Sequence, residues 1–372
     1  MITTTNITLD IYADSIRDTD RLADLQSLIF GLYGEVGSVV TTAKKQKREG
    51  MVFNYRMAIT EEFGDVFWYF TRLTEKLQYD INSLISAPFC KQQLSKIIIT
   101  DMTENPIAHI PITQEQDFTL ALKNLATSAA SLLSCLDSNE DTNQKLKNFF
   151  VNYLYSLKAA DISFTDVIHH NIEKSRGRFL DPDIKTLKRF DDDFEEEERL
   201  PEIFEIVISE RPNGKSYLRW KGVFIGDPLT DNIRDSDGYR FHDVFHMANA
   251  AILHWSPTFR ALIKHKRKSN PKTDEEQDSG RAIVIEEGLS AWIFSVAKTC
   301  NFFEDQNKLS FDMLKTVKQF VSGYEIEDCP LSLWERAILD GYRVFRKLKE
   351  HKCGIIVGNR TDRTIEFQPL EK

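Results

Sequence analysis

No stretch of this sequence approaches the ~18 uncharged apolar residues that a helix needs to cross a bilayer, so a membrane partner is not expected. Cysteine is sparse. Cys90, Cys135, Cys300, Cys329 and Cys353 are scattered, odd in number and never spaced Cys-x-x-Cys, which excludes zinc ribbons and redox dithiols. Free buried thiols in a reducing cytoplasm are the expectation, and with them a cytoplasmic location. Basic charge is in deficit: 48 Lys and Arg stand against 57 Asp and Glu, a formal net charge of −9. Such a chain repels a phosphate backbone, so a nucleic-acid partner is not expected outside a local basic patch. The N-terminal MITTTNITLDIYADS has neither the basic region nor the apolar run of a secretory signal, and none is expected. Repeats of fixed period and low-complexity tracts are also missing. What is present is aromatic surface to bury: 25 Phe, 11 Tyr and 5 Trp exclude disorder throughout. The 372 residues exceed the ~250 at which a single core stops growing, so about two domains are expected.

The first 180 residues read as helical. Leu22, Leu25, Ile29, Leu32, Val36 and Val39 step by three and four and mark one helix face. Asp20 is the expected N-cap, and Gly50 ends the run after Lys44, Lys45, Lys47 and Arg48. A second helix carries Ile59, Phe63, Val66, Phe70, Leu73 and Leu77. Further helices are expected over 114–136 and 142–159, and a last one from Ser163, where Ser163-Phe-Thr-Asp166 resembles a capping box. The segment 181–200, DPDIKTLKRFDDDFEEEERL, reads as a solvated acidic linker. Beyond it, EIFEIVIS and SYLRWKGVFI flank the Asn213-Gly214 hairpin signal. Helices follow over about 240–350, and GIIVGNRTDRTIEFQPL closes the chain as another hairpin. The expected class is mainly α: an all-α bundle over 1–180 with a helical insert at 88–160, then an α+β domain with a small antiparallel sheet over 201–372.

Two constellations carry chemistry. In the first, Glu35 and Ser38 lie three apart on one helix, and Glu62 and Asp65 lie three apart on the next. Residues at i and i+3 share a face, so two antiparallel helices would gather Glu35, Glu62 and Asp65. Clustered carboxylates without His or Cys suit Mg²⁺ or Mn²⁺. The alternative is that they are solvated faces, but Gly34, Gly37, Trp68 and Tyr69 surround them with apolar sequence. On a third helix Val167, Asn171, Lys174 and Arg178 share a face, and the two cations suit phosphate oxygens.

GLYGEVGSVVTTAKKQKREG, EEFGDVFWYFTRLTEKL and HHNIEKSRGRF occur in that order. Together they resemble the MazG-like all-α nucleoside triphosphate pyrophosphohydrolases, whose pattern is GExGE, EExGDxxWY and NxxKxxxR. The likeness covers 28–80 and 164–179. It implies hydrolysis of (d)NTPs to monophosphate and pyrophosphate, with Glu35, Glu62 and Asp65 as metal ligands for Mg²⁺ or Mn²⁺ and as the catalytic acids. It also implies that Asn171, Lys174 and Arg178, with Lys44 or Lys45, face the nucleotide, and that the protein is a homo-oligomer, a dimer or higher. One position departs from the pattern: the second Glu of GExGE is Ser38. Glu61 lies ~100° round the helix from Glu62 and is a poor substitute. The competing reading is a nucleotide-binding regulator whose first site Ser38 has disabled and which controls the C-terminal domain.

In the second constellation His242, Asp243 and His246 sit on one expected helix, and Glu286 and Glu287 on a later one. Two His with Glu287 or Asp243 could hold a transition metal; a polar network tying buried helices together is the alternative. FHDVFH, SPTFRALIKHKRKS, RAIVIEE and GYRVFRKLKEHKCG resemble the C-terminal domain often fused behind MazG-like domains. The basic stretch Lys264 to Lys268 with Lys272 is expected at a solvated helix end, and Trp255 and Trp292 in the core.

Overall fold

Helix starts are set by side chains that accept the first free backbone N–H groups. The computed structural model describes residues 9–22, 24–50, 54–86, 117–138, 141–180, 182–183 and 186–370. It divides into two units, Met1–Leu180 and Asp181–Lys372. In the first, α1 (Leu9–Arg17) precedes α2 (Leu25–Glu49), which is capped by Asp24: its Oδ1 accepts the Ser27 N–H at 2.7 Å. This corrects the expectation for Asp20, which lies four residues too early. Asp20 instead accepts the Leu22 N–H at 2.8 Å and pairs with Arg72 at 2.9 Å. Gly50 ends α2 with φ +60°, as its spacing predicts.

Then come α3 (Tyr55–Lys76), α4 (Ile81–Ser86), α5 (Phe118–Leu132), α6 (Thr142–Ala159) and α7 (Phe164–Phe179). Ser163 caps α7, its Oγ accepting the Asp166 N–H at 3.3 Å. The start of the expected 114–136 helix, much of the 88–160 insert and Cys90 lie outside the described residues. Helix α2 runs against α3, and α3 also packs on α7. Their shared core is aromatic: Phe67 lies 5.0 Å from the Tyr12 ring and 4.9 Å from Phe164, with Phe70, Phe150 and Tyr153 around it.

The second unit is built on a five-stranded antiparallel sheet of order β3-β2-β1-β4-β5. The strands are β1 (Ile203–Glu210), β2 (Ser216–Trp220), β3 (Val223–Leu229), β4 (Cys353–Asn359) and β5 (Thr364–Gln368). SYLRWKGVFI, expected as one strand, is two. Lys221 and Gly222 both take positive φ, the requirement of a tight two-residue hairpin turn, and so reverse the chain. Alternate residues Phe204, Ile206 and Ile208 of β1 face the core, with Leu218, Ile356 and Ile365 from the neighbouring strands. Helices α8 (Asp243–Ala248), running into a π-turn at Asn249–Leu253, and α12 (Leu331–His351) pack against β4 and β5, α9 (Pro257–Ile263) meets β3, and α10 (Gly280–Thr299) and α11 (Phe311–Phe320) pack on these helices. Trp255 is fully buried beside Trp334, and Trp292 is half-buried against Phe320.

The acidic run is solvated only in part: Asp192, Asp193, Glu195, Glu196 and Glu197 are exposed, but Asp191 is tied into the fold. Asp191 is fully buried, accepts the Leu200 N–H at 2.8 Å, and holds Arg260 at 2.6 Å and Arg360 at 2.7 Å. Burial alone would raise its carboxyl, yet the two guanidinium groups hold it down at about 2. The basic stretch is likewise more than a solvated helix end: Arg267 is buried between Asp278, 2.7 Å away, and Glu325, also at 2.7 Å. Among the described cysteines Cys135 is buried, Cys300, Cys329 and Cys353 are half-buried, and all four are free thiols. No helix among the described residues is long and apolar enough to cross a membrane.

Candidate functional site

Helix periodicity alone places the first cluster. Glu35 projects from α2, and Glu62 and Asp65 from one face of α3. One carboxylate oxygen from each lies within 4.8 Å of the other two. Burial and the neighbouring charges of Asp65 and Glu62 raise the Glu35 carboxyl to about 7, against opposing pulls from Lys174 and the Ser38 hydroxyl. Three acids gathered this closely in half-buried positions need a positive partner. The close contact of α2 and α3 is permitted by Gly31, where a Cβ would stand 2.1 Å from the Tyr69 ring.

The third helix supplies part of that partner. Val167, Asn171 and Arg178 form a buried face of α7. Lys174 Nζ sits 2.9 Å from Glu61 and in contact with Asp65. Burial alone would lower the lysine; Asp65 and Glu61 outweigh it and keep the ammonium charged. Asn171 donates from Nδ2 to Asp65 at 3.4 Å and accepts the Tyr12 hydroxyl at 2.7 Å. A Cβ on Gly64 would come within 3.1 Å of the Asn171 Cβ, so the glycine of the EExGD pattern is what lets this side chain approach α3.

The structure thus brings Glu35, Glu62, Asp65, Asn171 and Lys174 together, with Arg178 buried on the same helix face. Lys44 does not join them. It is exposed about 13 Å further along α2 and half a turn out of phase with Glu35. Glu61, discounted on the sequence as a replacement ligand, takes another part: it is buried and shares Lys174 with Asp65. Tyr12 and Thr42 were not foreseen. Thr42 donates to Glu62 at 3.4 Å, and nothing in the sequence around Tyr12 marks it as the partner of a residue 159 positions away.

In the second unit the two consecutive glutamates separate by role. Glu286 is fully buried and saturated. It accepts Asn249 at 3.0 Å, the Ser256 hydroxyl at 2.8 Å and the Thr258 N–H at 2.9 Å. Glu287, with 38% of its side chain exposed, faces both histidines: its Oε2 is 3.4 Å from His242 Nε2 and its Oε1 is 3.4 Å from His246 Nε2. Burial alone would lower the His246 imidazole, but Glu286 and Glu287 raise it to about 10. His242, His246 and Glu287 form a compact trio of donor groups. Asp243, expected with them, does not join it. It lies one position, ~100°, round the helix from His242, is buried, and burial raises its carboxyl.

Residues 185–371 match a family model described as the MazG C-terminal domain. The match lies in the second unit. No curated protein and no solved structure matches the chain.

Proposed function

The chain belongs to the MazG C-terminal domain family, and from that premise we propose that it is a metal-dependent hydrolase of nucleoside triphosphates or related nucleotides, releasing monophosphate and pyrophosphate. The carrying observation is the convergence of Glu35, Glu62 and Asp65 on one point beside Lys174. The donor set fits the group it is asked to hold. All three donors are carboxylate oxygens within 4.8 Å of one another, and burial together with the charges of Asp65 and Glu62 raises Glu35, a cost that a divalent cation relieves. Glu35, Glu62 and Asp65 would hold Mg²⁺ or Mn²⁺, which when bound neutralises phosphate charge and lowers the pKa of a water.

The remaining steps belong to the chain. Lys174 is charged and within reach of the acids, so it can transfer its contacts from Asp65 and Glu61 to a phosphate oxygen as substrate enters. Tyr12 and Gly64 hold Asn171 in place beside Asp65. Arg178 extends the cationic line along α7.

A second reading is favoured by Ser38, which offers Glu35 a hydroxyl where the pattern has a carboxylate. In that reading the site binds nucleotides without turnover and governs the C-terminal domain. Association of two or more copies belongs to the same proposal, supported by Phe30, Tyr33 and Val40, which stand exposed along one stripe of α2. A panel of NTPs, dNTPs and alarmones with Mg²⁺ or Mn²⁺, following monophosphate and pyrophosphate, tests the enzyme reading. Turnover supports it, and tight binding without turnover leaves the regulator.

A further inference from the structure

The cluster in the second unit holds a buried imidazole with no hydrogen-bond partner. His242 Nδ1 lies 2.9 Å from the Tyr239 carbonyl, which can only accept, so Nδ1 is the donor there and Nε2 is the nitrogen left to face the cluster. Its Nε2 lies 3.4 Å from a carboxylate oxygen of Glu287. That separation is longer than a well-formed hydrogen bond. His246 is in a sharper position. It is fully buried, and neither ring nitrogen makes a hydrogen bond. Its Nδ1 stands 3.1 Å from Glu286 and its Nε2 3.4 Å from Glu287, both off the line a hydrogen bond needs.

These distances have another reading. Metal–nitrogen and metal–oxygen bonds of about 2.0–2.2 Å at tetrahedral angles set neighbouring ligand atoms ~3.4 Å apart. Both Nε2-to-carboxylate separations are 3.4 Å. The backing of each ring also fits. Ligating histidines commonly have the second nitrogen held by a carbonyl or a carboxylate. Here Tyr239 O accepts from His242 Nδ1, and the Glu286 carboxylate lies 3.1 Å from His246 Nδ1, close by though not aligned as a hydrogen bond. Glu286 is itself fixed by Asn249, Ser256 and the Thr258 N–H. The adjoining π-turn at Asn249–Leu253 brings Asn249 round to that carboxylate.

We propose that His242 Nε2, His246 Nε2 and Glu287 bind a divalent transition-metal ion of the zinc, iron and manganese class. Two imidazoles disfavour Mg²⁺ and Ca²⁺. Three protein donors, with Glu287 partly exposed, leave a coordination position for water or a substrate oxygen, the pattern of a catalytic rather than a structural site. The site is independent of the acids on α2 and α3 and stands whether or not those acids hydrolyse nucleotides.

The experiment uses the full chain, stripped with a chelator and reloaded with Zn²⁺ or Co²⁺, with metal content and the Co²⁺ visible spectrum as readouts. One ion per second unit is expected, together with the intense bands of a low-symmetry Co²⁺ site. Because His246 is fully enclosed, the variants are His242→Ala and the more exposed Glu287→Gln, each with its melting in chelator compared with the parent chain. Each is expected to weaken Zn²⁺ affinity at least ~100-fold, and Glu286→Gln, a positioning change, about 10–100-fold. Asp65→Asn is expected to leave this uptake intact. The proposal is overturned if the stripped chain takes up no transition metal. It is equally overturned if uptake survives Glu287→Gln and disappears with Asp65→Asn, or if uptake is the same in folded His242→Ala and Glu287→Gln as in the parent.

Discussion

Glu35 is the residue on which the electrostatics of the first unit turn. Its carboxyl, raised from 4.5 to about 7, keeps a proton in the folded chain that the unfolded chain has released. In chelator, the folded state therefore binds more protons between those two values, and stability falls as pH rises through the window. Glu35→Gln should abolish that decline, raising Tm above neutral pH by about 2–4 °C for each kcal/mol of repulsion removed. Thermal melts across the window, with and without Mg²⁺, check it; an equal slope in both proteins would contradict the account. Ser38 asks the converse. Ser38→Glu restores a fourth carboxylate at i+3 from Glu35, and tighter Mg²⁺ binding with turnover faster by about 10-fold is expected. A drop in both, measured by calorimetry and product release, would mean that the pocket is shaped around the hydroxyl.

At the scale of elements, α7 is where structure and phosphate recognition meet. Lys174→Ala and Arg178→Ala should weaken triphosphate binding more than monophosphate binding, by about tenfold or more, the equivalent of a ~1.5 kcal/mol charged hydrogen bond. Equal losses for both ligands would return these residues to packing. The three helices that build the acid cluster could be read in advance, because apolar steps of three and four fix a helix face and the acids ride at fixed offsets from it. Their partners could not. The contact of Tyr12 with Asn171 spans 159 positions and depends on where α1 packs. The Lys221-Gly222 turn was hidden because its flanks, SYLRW and VFI, form one continuous strand-like run. Charge runs were legible only in part for a related reason. A string of acids or bases reads as solvated, and only the folded chain reveals that Asp191 meets Arg260 and Arg360, 69 and 169 positions away.

Across the whole molecule, two units carry two different donor sets: three carboxylates near a lysine in one, two histidines and a glutamate in the other. The second unit is held by buried ion pairs as well as by its sheet and helices. Asp191→Asn would leave two buried arginines short of a counter-charge and should destabilise it by about 3–5 kcal/mol. Chemical denaturation of the variant beside the parent measures this; a difference under ~1 kcal/mol would mean that water reaches the arginines. The central claim, that the acids of α2 and α3 form a working nucleotide pyrophosphohydrolase site, is tested most directly by product identity. A nucleoside triphosphate with Mg²⁺ is incubated with the chain and with Asp65→Asn, and the products are resolved by phosphorus NMR. The account predicts monophosphate and pyrophosphate in equal amounts from the parent and none from a folded Asp65→Asn variant. Diphosphate with orthophosphate, or the same turnover in both proteins, would contradict it.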